Sequence, residues 1–81
     1  MGSKVTILYF AALRDAAGMA SEAVETSAGN LRALYEEVQA RHRLPFPPRQ
    51  LRVAVDGDFA SWEDPPREGA EIAFIPPVSG G

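Results

Sequence analysis

Glu71-Ile72-Ala73-Phe74-Ile75-Pro76-Pro77-Val78-Ser79-Gly80-Gly81 is the stretch that decides how this chain is read. Its first five residues are β-formers in alternation, which reads as a strand over Glu71–Ile75. Ile72 and Phe74 share one parity and Ala73 and Ile75 the other, so the strand presents an apolar side chain to both faces of its sheet. Two prolines then end it, because they lack the N–H a sheet interior needs. Their rings hold φ near about −65° and predict a stiff, extended stem. After Val78 come Ser79, Gly80 and Gly81, slim enough to enter a channel that larger side chains would block. Fully extended, Pro76 to Gly81 reaches about 20 Å. Chain ends are commonly disordered, and Gly-Gly alone is a modest signal; set directly behind a strand and a Pro-Pro stem, it reads as a presented arm.

Working outward, Lys4 to Phe10 is apolar on both faces and predicts a central strand, with Val5, Ile7 and Tyr9 alternating with Thr6, Leu8 and Phe10. Ala12 to Ala17 predicts a short helical turn stopped by Gly18. Glu22 to Thr26 reads as a more polar edge strand. Leu31, Leu34, Tyr35 and Val38 recur at helical spacing and form one apolar stripe. Ser27 is the expected cap of that helix, with Asn30 as the alternative. Arg41, His42 and Arg43 suit its negative end, and Pro45, Pro47 and Pro48 forbid continuation. Leu51–Val55 alternates as a third strand, Asp56-Gly57-Asp58 signals a hairpin, and a short strand is expected over Phe59–Trp62. The order β-β-α-β-β-β predicts an α+β fold. The two most apolar strands, first and last, sit together mid-sheet and one main helix crosses one face, in a mixed sheet of about five strands. This is the β-grasp arrangement.

The bulk properties bound the function. A chain of 81 residues is expected to form one domain around one core. There is no cysteine, which excludes disulfides, thiolate nucleophiles and Cys-based metal sites. The net charge of −3 and scattered arginines, with Lys4 the only lysine, argue against nucleic acid, which requires clustered positive charge. No apolar run approaches the roughly 20 residues a membrane span requires, and no signal peptide is visible, so a cytoplasmic setting is expected.

The helix covers only one sheet face. Phe10, Phe59 and Ile75 are bulky apolar residues near element ends, and their expected place is a cluster on the helix-free face that docks a partner protein; the alternative is that they plug the rim of the core. Other polar residues read as structural. His42 has no second ligand at metal spacing and is expected at a solvated helix end. Asp56 and Asp58 form the turn, Glu63 and Asp64 belong to a solvated loop, and Trp62 packs.

Taken together, Leu8-Tyr9-Phe10-Ala11-Ala12-Leu13-Arg14-Asp15, Leu31-Arg32-Ala33-Leu34, Leu51-Arg52-Val53-Ala54-Val55-Asp56 and Gly69 to Gly81 resemble the small, sulfur-carrying subunit of molybdopterin synthase, the MoaD family of ubiquitin-like β-grasp proteins. The ending Pro-Pro-Val-Ser-Gly-Gly is its most specific stretch. Ala70, where members often carry Asp, and the Pro45–Pro48 loop depart from the pattern. The resemblance implies a β-grasp domain over residues 1–75 and an extended tail over 76–81. It implies that an ATP-dependent, E1-like partner adenylates Gly81, that a sulfur donor converts it to a thiocarboxylate, and that the large synthase subunit receives the tail and passes sulfur to a cyclic pyranopterin precursor. Gly81 is then the carried reagent. Gly80 and Ser79 pass the active-site channel, and Val78, Pro77 and Pro76 steer the stem. The catalytic acids and bases are expected on the large subunit. This chain is expected to bind no cofactor or metal of its own, ATP being used by the activating partner. A carrier serving thiamine or another thiolated product, a ubiquitin-like modifier joined through Gly81, and a plain interaction domain are the alternatives.

Overall fold

The computed structural model describes residues 2–76. In chain order these form β1 (Ser3–Tyr9), α1 (Ala11–Ala17), β2 (Ser21–Thr26), α2 (Leu31–His42), a single 3-10 turn (Pro48–Gln50), β3 (Arg52–Val55), β4 (Asp58–Ala60) and β5 (Glu71–Ile75). The sheet order is β2-β1-β5-β3-β4. β1 and β5 run parallel, pairing Thr6 with Glu71 and Tyr9 with Phe74; every other pairing is antiparallel. The expected mixed five-stranded sheet, with its two apolar runs side by side, is therefore what forms, and β2 lies at an edge.

Alternation sorts the side chains. Val5, Ile7, Tyr9, Val53, Ile72 and Phe74 face α2, and all are buried. The helix supplies Leu31, Leu34, Tyr35 and Val38, each without exposed surface. Fully burying such a side chain is worth about 1.5–3 kcal/mol, so this stripe, rather than helix propensity, holds α2 on the sheet. At the centre, the ring of Phe74 lies edge-on to Tyr35 at 4.9 Å and stacks on Trp62 at 5.8 Å. Trp62 thus packs, as its sequence context suggests. The Tyr35 hydroxyl donates to the Phe46 carbonyl at 2.6 Å and the Gln39 amide donates to the same oxygen at 3.0 Å, pinning the proline-rich loop. Burial pushes the Tyr35 hydroxyl up to about 12, so it stays a donor at neutral pH.

The cap of α2 is Asn30 and not Ser27. Asn30 Oδ1 accepts from the Ala33 N–H at 2.8 Å, while the N–H groups of Leu31 and Arg32 donate to the carbonyls of Asp64 and Trp62. Three orphan donors of the first turn are satisfied only if the helix starts at Leu31. Residues 27–30 instead form a connection, opened by the Thr26 hydroxyl accepting from the Ala28 N–H.

The other end of α2 also departs from expectation. His42 is not solvated: its side chain is 13% exposed, its Nε2 lies 2.9 Å from Glu22 Oε1, and its ring meets Tyr9 edge-on at 5.8 Å. The Tyr9 hydroxyl donates to Glu22 as well, at 2.9 Å, and Arg41 approaches the second carboxylate oxygen at 3.3 Å. Burial works to raise the Glu22 pKa, but the hydrogen bonds from His42 and Tyr9 and the charges of His42 and Arg41 outweigh it, and the net shift is downward. Burial, aided by the Glu22 contact, drives the Tyr9 hydroxyl upward. The cluster clamps the helix end to β1 and β2.

Asn30→Ala is expected to cost about 1 kcal/mol, read as a fall in melting temperature of about 4–8 °C for a domain of this size. Glu22 has a depressed pKa in the folded state, so its contribution is present above the unfolded carboxylate value of about 4.3 and disappears as pH falls through the lower folded value. Glu22→Gln is therefore expected to destabilise by about 1–3 kcal/mol near neutral pH. In urea titrations the gap from wild type narrows as pH falls below the unfolded carboxylate value, and a gap independent of pH contradicts this account.

Candidate functional site

The last described pairing before the tail is that of Ile75 with Arg52 across β5 and β3. Pro76 is buried and is the final described residue. Pro77, Val78, Ser79, Gly80 and Gly81, the residues on which the carrier reading places its stem, channel passage and reagent, lie outside the described residues. What the structure supplies is the place from which they depart: the middle of the sheet, bonded on both sides.

The helix-free face is built by register. One row crosses all five strands: Ser21, Leu8, Ala73, Ala54 and Phe59, each paired directly with the next. Small side chains in the centre leave that row low, with Phe59 standing at its β4 end. The next row toward the tail contains Ile75 and Arg52. Phe10, extended at φ −123° and ψ 148°, continues the β1 alternation on the parity of Leu8. Phe10 is 46% exposed and Phe59 is 67% exposed, while Ile75 is half-buried. The three sequence-selected residues therefore share the open face and do not plug the core. They do not form one contiguous knot: Phe10 lies beyond the end of β1 and Phe59 on the far edge strand, with Ile75 between them.

Two elements of this surface escaped the sequence reading. The Arg52 guanidinium lies over the Phe59 ring, 5.4 Å from its centroid, a cation–π contact that holds both side chains upright. A groove of about 410 Å³ opens beside the tail base, between Arg49, Arg52, Phe59, Ile75 and Pro76. Only the cross-strand register brings these residues together, and no local spacing signals it.

The polar groups of the body are largely committed to structure. Asp56 Oδ1 accepts from the Glu71 N–H, Asp64 Oδ2 from the Ser61 N–H, and Glu63 pairs with Arg32. Asp56 at φ 51° and Gly57 at φ 91° form the expected tight hairpin turn. Among the described residues no three His, Asp or Glu side chains gather as a metal-holding group, and no buried side-chain nitrogen or oxygen lacks a partner. No helix among them is long and apolar enough to cross a membrane. The arrangement is suited to docking through an apolar face and to presenting the segment that leaves the sheet at Pro76.

Comparison with known proteins agrees with this geometry. Residues 7–81 match the ThiS family model. The molybdopterin synthase sulfur carrier subunit of Escherichia coli K12 is 31% identical over 80 residues, covering 95% of this chain and 99% of that one. A Pyrococcus furiosus protein described as molybdopterin converting factor subunit 1 is 30% identical, with a TM-score of 0.78 over 94% of this chain and 99% of that one. Two further structures, each 20% identical, share the fold. Small archaeal modifier protein 1 of Haloferax volcanii has a TM-score of 0.81, with 95% and 100% of the chains covered. The complex of subunits 1 and 2 of the molybdopterin-converting factor of Helicobacter pylori has a TM-score of 0.65, with 96% and 99% covered. By family match, near-complete alignment and shared β-grasp topology, the chain belongs to the ThiS family, alongside the sulfur carrier subunits of molybdopterin synthase.

Proposed function

We propose that this chain is a sulfur carrier and the small subunit of a molybdopterin synthase, with Gly81 as the carrying group. The observation that carries the reading is the similarity to the Escherichia coli sulfur carrier subunit over nearly the whole length of both chains. It is supported by the course of β5, which leads from the sheet centre directly into Pro76 and the tail sequence. The Helicobacter pylori complex of subunits 1 and 2 supports a large-subunit partner.

The chemistry derives from the carboxyl group. At neutral pH a terminal carboxylate, with a pKa of about 3.3–3.7, is ionised and a poor electrophile. An E1-like enzyme transfers AMP to it from ATP, releasing pyrophosphate and leaving an acyl adenylate. The terminal sulfur of a persulfide donor attacks the Gly81 carbonyl and expels AMP. A thiol then cleaves the resulting acyl disulfide, leaving the thiocarboxylate and a disulfide. Bound to the large subunit, the tail delivers its sulfur to a pyranopterin precursor and returns as a carboxylate. Ser79 and Gly80 thread a narrow passage without obstructing it, Pro76, Pro77 and Val78 aim the stem, and acids and bases come from the partners. The need for ATP and free thiols favours the cytoplasm. Phe10, Phe59 and Ile75 form the docking face.

Two measurements bear on this. Incubation with activating enzyme, ATP and a sulfur source is expected to exchange one oxygen for sulfur at Gly81 by intact mass; a chain amidated at Gly81 stays unmodified while melting at the wild-type temperature. A branched conjugate in place of the exchange marks a modifier, and sulfur loading of the amidated chain overturns the assignment. Phe59→Ala, the most exposed of the three, is expected to weaken large-subunit binding by about tenfold or more, the loss of an aromatic anchor costing over about 1 kcal/mol. The same substitution changes stability by less than about 0.5 kcal/mol, as surface changes do; wild-type affinity removes Phe59 from the docking face.

A further inference from the structure

The topology sets where the charges of this acidic chain stand. β1 and β5 are parallel and end together at the tail side; β3 is antiparallel to them and begins there, at Arg52. α1 comes directly after the end of β1, and the C-terminal turn of α2 packs on Tyr9 through His42. Arg49 and Arg52 therefore stand beside the point where the tail departs, and Arg41 lies at the neighbouring end of α2 against Glu22. At the opposite end, Asp56 and Glu71 exchange backbone and side-chain hydrogen bonds, Asp58 pairs with Val55, Glu68 meets the Lys4 N–H, and Asp64 meets the start of α2. Two arginines thus stand beside the tail base in a chain whose net charge is −3.

The arginines at that end are not equivalent. Arg41 is engaged by Glu22. Among the described residues Arg49 and Arg52 have no carboxylate within salt-bridge distance, although both are exposed. They flank the 410 Å³ groove whose other walls are Phe59, Ile75 and Pro76. Arg52 is held over the Phe59 ring, so its guanidinium is pre-oriented at the rim of the apolar face. An apolar face alone fixes neither the direction of approach nor the rotation of a partner, whereas fixed charges at its rim do both.

We infer that Arg49 and Arg52 form a charged docking collar that engages carboxylates on a protein partner, bordering an apolar contact with Phe59 and Ile75. This rests on the docking face proposed above. It assigns the collar two effects: it steers the tail-first orientation during approach, and it places partner Asp or Glu side chains in the groove beside Pro76. The carboxylate partner is favoured over a free anion because the groove is continuous with the apolar face and shares Phe59 and Ile75 with it.

The test is stopped-flow association of the full chain with the large subunit at low salt and at about 1 M salt, where the screening length falls to about 3 Å. Arg52→Glu and Arg49→Glu are each expected to slow low-salt association by roughly tenfold, with the difference from wild type closing at high salt. Arg52→Lys keeps most of the wild-type rate. Lys4→Glu makes the same change in net charge at the opposite end and stays within about twofold of wild type, the signature of local rather than global charge. Phe59→Ala separates the apolar face from the collar, because its effect persists at high salt. Arginine variants that behave like Lys4→Glu while Phe59→Ala still weakens binding overturn the collar and leave the docking face standing. No effect from any of the variants, Phe59→Ala included, overturns both. Saturable binding of inorganic phosphate at Arg52 that blocks the partner replaces the protein carboxylate with a small anion and overturns the assignment of the occupant.

Discussion

The parallel ladder between β1 and β5 is the constraint on which everything else in this domain depends. It joins the two ends of the sequence, Thr6 to Glu71 and Tyr9 to Phe74, and so closes the longest loop the chain can make. Contacts at such separation form late and together, since the entropy of closure must be met before any of them is gained. Ile75 is fixed between Tyr9's strand on one side and Arg52 on the other, with Phe74 beneath the rings of Tyr35 and Trp62. Loosening the base of the tail therefore breaks contacts of the core itself. The segment beyond Pro76 starts from a point as well defined as the core.

A second consequence is the division of the sheet into a covered and an open face. Placing β5 in the middle gives it both faces to fill, and its sequence fills both: Ile72 and Phe74 toward the helix, Ala73 and Ile75 away from it. One helix can cover only one side, and α2 is tied there at both ends, by Asn30 with the 62–64 carbonyls and by the His42–Glu22–Tyr9 cluster. The open face keeps its apolar residues uncovered, with small Ala73 and Ala54 at the centre and Phe10 and Phe59 exposed beyond them. Exposed aromatics at fixed positions on a sheet are the feature on which the proposed docking face rests.

Much of this was legible from one-dimensional pattern. The alternation of residues 5–9 and 71–75, the apolar stripe at 31, 34, 35 and 38, and the Asp-Gly hairpin each encode a period or a turn that local sterics impose. What escaped was what only three dimensions supply. Ser27 and Asn30 are both good caps by type; the choice falls to Asn30 because a loop more than thirty positions away offers carbonyls to Leu31 and Arg32. His42 looks solvated at a helix end until β2 brings Glu22 beside it. The Arg52–Phe59 contact depends on register across β3 and β4. The reading of the tail rests on residue size and proline alone, and residues 77–81 lie outside the described residues.

The short reach of the tail sets the terms on which a carrier of this kind works. Six residues extend about 20 Å at most, so any active site that receives Gly81 must open at the surface beside Ile75. On the proposed carrier reading, an activating enzyme and a synthase subunit that both use the tail contact the same end of the domain and exclude each other. Transfer between them requires release, and tight apolar docking works against it because a large buried contact lowers the rate of leaving. Charges at the rim resolve the conflict: they raise the rate of productive encounter while adding little to the lifetime of the complex. On that reading, a modest apolar centre bordered by Arg49 and Arg52 suits a surface that must find its partners quickly and release them.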